Sequence, residues 1–189
     1  MIPTPARIKH LRHYTTDWTP KSKEDLQADI KECLKLSADC SNGPHGPIES
    51  WDVSAVTEMS ELFNDDVVPK ADTFTDDISN WDVSRVTSMW SMFLRASSFN
   101  GDLSKWDVWN VGDMTNMFFE ASAFNGDLSN WDVSRVNDMD GMFEDAESFK
   151  QKLCGDAWIS SEASKFDMFT GSSGSISRAV CSPDPTPVT

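Results

Sequence analysis

Carboxylates in register are the first chemistry the sequence offers. Asp77, Asp102 and Asp127 each stand four residues before a tryptophan. Stacked on one another, three such carboxylates could hold calcium, which takes six to eight oxygen ligands. No EF-hand loop or glycine–aspartate calcium repeat accompanies them, so the alternative is a column of solvated or hydrogen-bonded carboxylates. A second column, Asp52, Asp82, Asp107 and Asp132, directly follows the tryptophans. Like charges at strand spacing repel. Each of these aspartates is therefore expected to accept hydrogen bonds from backbone N–H groups just beyond it, in an Asx-turn.

Catalysis has little to draw on. His10, His13 and His45 lie outside the repeated part of the chain, none close in sequence to an obvious nucleophile or carboxylate partner. Paired carboxylates abound, but a chain of net charge −15 supplies those by chance. The expectation is a non-enzyme with no catalytic residues and no cofactor. Cys33, Cys40, Cys154 and Cys181 show no Cys-x-x-Cys or Cys/His ligand spacing. Two precede the repeats and two close them, so the natural pairing is Cys33–Cys40 and Cys154–Cys181. Disulfides imply an oxidising compartment; the alternative is four buried thiols in a reducing one.

The charge argues against nucleic acid, whose phosphates need Lys and Arg, and against anionic lipid. It favours cationic partners. No run nears the roughly 18 apolar residues of a membrane span, so direct membrane insertion is not expected. Met1 to Tyr14 lack the apolar stretch of a signal peptide, a pattern that a trimmed chain would share.

The elements that must position these residues come from internal repetition. Trp-Asp-Val recurs at Trp51, Trp81, Trp106 and Trp131, with an insertion around Asn64–Lys70 lengthening the first step. A worn fifth copy runs from Phe149 through Leu153 and Trp158 to Met168-Phe169. In the third copy Phe99, Leu103 and Trp106 lie in an extended stretch broken by Asn-Gly and Trp-Asp turns. Met114, Met117, Phe118 and Ala121 then follow at i, i+3, i+4 and i+7, which predicts a short helix with one apolar face. Adjacent copies would stack Phe on Phe and Trp on Trp, with parallel strands about 4.8 Å apart. The expected fold is an α/β repeat: a right-handed leucine-rich-repeat-like solenoid of four to five coils with short parallel strands and short helices. Ser22 with Asp25, then Leu26, Ile30, Cys33 and Leu34, predict a helical N-terminal cap. The expected division is an extension over 1–20, the cap over 21–46, the repeats over 47–169 and a Ser/Gly- and Pro-rich tail or linker over 170–189.

The unit F-N-x-D-[IL]-S-x-W-D-V-S-x-V-x-x-M-x-x-M-F-x-x-A resembles the roughly 25-residue BspA-like repeat of bacterial and mycoplasma surface proteins. The stretch Gly46-Pro47-Ile48-Glu49-Ser50-Trp51-Asp52-Val53-Ser54, after a helical cap, is most similar to the versions found in unicellular algae. The resemblance spans about residues 46 to 169. It implies a leucine-rich-repeat-like fold and a surface or adhesion role, and it carries over no catalytic residue.

Residues that break the repeat are the most informative about function. Trp90 fills a slot held by Ser60, Thr115 and Asp140 in other copies, and Leu94 and Phe119 share a slot held by Asn64 and Glu144. The polar occupants mark both slots as exposed, so Trp90, Leu94 and Phe119 are expected to form one apolar patch. Trp109 replaces a Ser elsewhere on the unit. Exposed clusters of this kind mark interfaces; the alternative is that the insertion or the tail covers them. The expected function is a secreted or surface-exposed module binding another protein or a glycan. The alternative is a structural subunit built permanently into a larger assembly, facing an oxidising lumen.

Overall fold

The computed structural model describes residues 18–37, 40, 43 and 45–181. His10 and His13, most of the N-terminal extension and the last eight residues of the expected tail lie outside the described residues.

Helix α1, Lys23–Leu36, begins where Ser22 and Asp25 place it. The Ser22 hydroxyl accepts from the Asp25 N–H, satisfying one of the N–H groups a helix start leaves open, and the Asp25 carboxylate reaches back to the Lys21 N–H just before the cap. Leu26, Ile30, Cys33 and Leu34 are buried. The Gln27 side chain donates to the Glu61 carbonyl at 3.0 Å, which ties α1 to the first copy.

The expected leucine-rich-repeat-like solenoid of strands and helices is not what the chain forms. Besides α1, the described residues hold one further α-helix, the five-residue α2, Asp156–Ser160, and one pair of two-residue parallel strands, β1, Lys152–Leu153, and β2, Ser175–Ile176. No copy contains the expected helix over its Met and Phe residues. Glu61, Ser91, Asn116 and Asp167 have φ between 52° and 61°, and Arg95, Glu120 and Asp145 between 53° and 58°. An α-helix of L-residues excludes these left-handed values. The extended segments form single-residue parallel bridges, Glu58–Ser88, Ser88–Asp113, Asp113–Asp138 and Asp138–Ser164, rather than strands.

The reason lies in where the backbone N–H groups go. In a helix they would bond four residues back within the same copy. Here the N–H groups of Met89, Ser91, Phe93 and Arg95 donate to the carbonyls of Asp113, Thr115, Met117 and Phe119 in the next copy, at 2.8–2.9 Å. The same four-rung pattern runs from Met59–Asp65 to Ser88–Leu94, from Met114–Glu120 to Asp138–Glu144, and from Met139–Asp145 to Ser164–Thr170. The intervening N–H groups close tight turns within the copy, as Met92 to Met89 and Ala96 to Phe93. Every second peptide plane thus donates to the following copy and accepts from the preceding one.

Side chains follow the same translation. Phe63, Phe93, Phe118, Phe143 and Phe169 stack with centroids 5.4–5.6 Å apart. Phe74, Phe99, Phe124 and Phe149 form a second column against the first, with cross-column contacts of 3.9–4.3 Å. The repeated tryptophans are buried, and each indole N–H donates to a carbonyl of the preceding segment: Trp81 to Ile48, Trp106 to Ile78, Trp131 to Leu103 and Trp158 to Leu128. A buried aromatic with its one polar atom satisfied contributes both area and register.

The last copy departs from the pattern of the others. Lys165 takes the slot of Met89, Met114 and Met139, and its Nζ donates to the Ser161 and Ala163 carbonyls. Residues 173–181 run beside Phe149–Cys154, joined by the β1–β2 pair and by Cys154–Cys181.

Candidate functional site

The aspartate columns are used by the backbone. Asp52, Asp82, Asp107 and Asp132 each accept from the N–H two residues on, at 3.0–3.2 Å. Asp77, Asp102 and Asp127 do the same toward Ser79, Ser104 and Ser129, at 2.8–2.9 Å. The Ser hydroxyl and then the N–H two residues on hold Asp52, Asp77 and Asp102 below the ordinary carboxylate range. Among the described residues, no group of three or more His, Cys, Asp or Glu is placed to hold a metal ion.

His45 has partners that its surroundings in sequence do not reveal. Its Nε2 lies 3.3 Å from Asp29 of α1, and its ring stacks on Trp18 at 4.5 Å. Trp18 meets Trp51 edge-on. Burial raises the Asp29 carboxyl, against the opposing pull of His45. The arrangement pins the segment before the first repeat onto α1 and Trp51.

The four cysteines form two disulfides, Cys33–Cys40 and Cys154–Cys181. The first ties the end of α1 to the loop that follows it. The second holds residues near the end of the described chain against the fifth copy. No helix of the described residues is long and apolar enough to cross a membrane.

Of the residues that break the repeat, Trp90 and Trp109 fall at the surface. The sister residues Ser60 and Asn64, in the slots of Trp90 and Leu94, are buried in the first copy, so a polar occupant there does not by itself mark an exposed slot. Trp90 is 40% exposed and Trp109 47% exposed, whereas the repeated tryptophans are at most 4% exposed. The ladder sets Leu94 and Phe119 in equivalent places on adjacent copies, both half-buried, because Asp65 donates to the Leu94 carbonyl and Arg95 to that of Phe119. Trp90 lies beside Thr115, whose carbonyl accepts from Ser91. Trp109 stands apart from this group, with the Arg135 guanidinium 4.3 Å over its ring. Its N–H still donates to Asp107, so the exchange of Ser for Trp leaves the local turn intact.

Arg95 is a feature that the repeat pattern does not single out. It follows Leu94, and its guanidinium bridges Asp66 in the insertion and Glu120 in the next copy, at 2.8–2.9 Å. Both carboxylates favour its charged form, Glu120 first. The arginine recurs at no equivalent position, although Glu120 and Asp145 share its left-handed φ there.

A groove of about 430 Å³ lies in the later copies, with a mostly polar lining that includes Ser134, Asn137, Ser160, Ser161 and Glu162.

No curated protein and no solved structure matches the chain. A family model described as Mycoplasma protein of unknown function, DUF285, matches residues 31–158, well over half of the chain and all four Trp-Asp-Val copies. The chain therefore belongs to that family.

Proposed function

We propose that the chain is a non-enzymatic binding module, secreted or displayed at a surface, that recognises another protein or a glycan. The observation that carries this reading is the contrast among the tryptophans. Those of the repeat are buried and hydrogen-bonded, while Trp90 and Trp109 are held in solvent at slots where sister copies use Ser, Thr or Asp. A large aromatic kept at a position the fold can fill with a small polar residue is characteristic of an interface anchor.

The finer likeness to BspA-like surface proteins, and to their algal versions with a helical cap, supports surface display. Two disulfides support an oxidising, extracellular setting. A net charge of −15 favours a partner with a cationic face.

The test compares the native chain with a Trp90→Ser/Phe119→Ser variant of equal thermal stability in recovering a partner from the surface and secreted material of the source organism. A partner retained by the first and lost by the second supports the reading. A chain recovered only within a permanent, stoichiometric assembly would point instead to a structural subunit.

A further inference from the structure

We infer that the open end of the copy-to-copy ladder is a docking edge for an extended segment of a basic partner polypeptide, gripped through the partner's carbonyl groups. The inference goes beyond the binding face around Trp90 and Phe119 and concerns a different surface.

Peptide-plane geometry carries it. The carbonyls of Ser164, Phe166, Met168 and Thr170 accept from Met139, Gly141, Phe143 and Asp145. Every peptide bond in the described chain is trans, and a trans plane points its N–H opposite to its carbonyl. The N–H groups of Lys165, Asp167, Phe169 and Gly171 therefore point away from the fourth copy. Among the described residues none of the four has a hydrogen-bond partner. At each of the four preceding junctions the equivalent N–H groups meet four carbonyls of the next copy. The edge is thus an existing interface with its second half missing. Asp167 and Gly171 keep the left-handed φ of that interface, 52° and 74°.

Two observations select the occupant. A second copy cannot add head to tail, because α1 covers the first copy, with Leu26, Ile30 and Leu34 buried and Gln27 bonded to the Glu61 carbonyl. An isolated anion is disfavoured by the surrounding charge. Asp167 lies in the edge itself and the Asp145 carboxylate packs beside Gly171. Glu144 is close enough to Asp167, Asp145 and Glu120 for their charges to raise its carboxyl further, after burial. Neutral carbonyls can take the N–H groups while Lys or Arg side chains meet the carboxylates. Phe166, 73% exposed, gives an apolar contact next to the edge.

The test uses the full chain, isotopically labelled, and a blocked ten-residue peptide of alternating Lys and Thr, with a Glu/Thr peptide as control. Amide hydrogen exchange is followed at Lys165, Asp167, Phe169 and Gly171, with sedimentation reporting mass. The expected result is exchange at these four amides slowed about tenfold or more by the Lys/Thr peptide and unchanged by the Glu/Thr peptide. Asp145→Asn with Asp167→Asn should weaken the Lys/Thr peptide about tenfold, while Trp90→Ser leaves it unchanged. Unchanged exchange at the four amides with the Lys/Thr peptide would overturn the inference. So would equal protection by the Glu/Thr peptide, or protection without peptide in a species of dimer mass.

Discussion

The indole N–H of Trp106 donates to the carbonyl oxygen of Ile78, one copy back, at 3.1 Å. One side chain thus both fills the core and fixes the register between neighbouring copies. Replacing Trp106 with Ala should cost roughly 3–5 kcal/mol, from the lost burial and a carbonyl left without its donor. Because neighbouring copies share the ladder, the loss should spread to both. Urea unfolding measures it, and a cost below about 1 kcal/mol would contradict a load shared through the Trp column.

Ser91 tests the left-handed ladder. Its φ is 52°, its hydroxyl is buried without a hydrogen-bond partner, and the same slot in the fourth copy is Gly141 at φ 62°. Ser91→Gly removes the strain of the side chain and the unsatisfied hydroxyl together. The variant should gain about 1 kcal/mol even though glycine lowers stability in regular structure. A destabilised Ser91→Gly in thermal unfolding would argue against left-handed backbone there.

That ladder also marks the boundary of what the sequence makes legible. The four-copy repetition, the stacking of like residues, the Asx-turns at Asp52 to Asp132 and the start of α1 follow from residue type and spacing. The conformation of the Met and Phe segment does not. Apolar residues at i, i+3, i+4 and i+7 suit one face of a helix, and they equally suit a chain of turns that buries the same residues against the next copy. The two differ in where the N–H groups go, which is a property of the stack rather than of one segment. Left-handed positions usually announce themselves through Gly or Asn; Asn116, Gly141 and Gly171 do so, but Ser91, Arg95 and Glu120 at the equivalent positions of other copies do not, so the signal is broken up along the repeat. Trp90 and Trp109 could be singled out because sister copies supply the comparison, whereas the bridging of Arg95 to Asp66 and Glu120 depends on the insertion's path.

Acid should weaken the fold through the turn aspartates. Asp52, Asp77 and Asp102 have carboxyls held below their ordinary value near 3.8 by the following Ser. A depressed folded-state value stabilises the fold above the ordinary value, and that contribution is lost as pH falls through the folded value. Glu144, raised by burial and by Asp167, Asp145 and Glu120, works in the opposite sense and is relieved on protonation. Glu24 is lowered as well and Asp29 is raised by burial, so four depressed carboxyls stand against two raised ones, and the melting temperature should fall as pH drops below about 4. Asp102→Asn should flatten part of that fall; an unaltered profile would show that the carboxylate is not engaged in the folded chain.

The two disulfides should be recovered as Cys33–Cys40 and Cys154–Cys181 by non-reducing peptide mapping of native material. Reduction should cost on the order of 2–4 kcal/mol for the Cys154–Cys181 loop, which closes 27 residues of separation, and less for the short Cys33–Cys40 loop. Four free thiols in native material would remove the support for an oxidising compartment.

The binding role rests on aromatics the fold does not need. Trp90 and Phe119 occupy slots filled by Ser, Thr, Asp, Asn or Glu in other copies, so Trp90→Ser should shift stability by no more than about 0.5 kcal/mol and Phe119→Ser, at a half-buried site, by about 1 kcal/mol. Anchors at interfaces instead carry about 2 kcal/mol or more of binding, roughly a thirtyfold change in Kd each. The decisive measurement sets the two readouts side by side, thermal unfolding of native and double-variant chain and their affinities for a partner purified with the native chain. Closely similar melting curves with binding lost in the variant are expected. Similar melting curves with unchanged affinity would rule out Trp90 and Phe119 as the binding anchors.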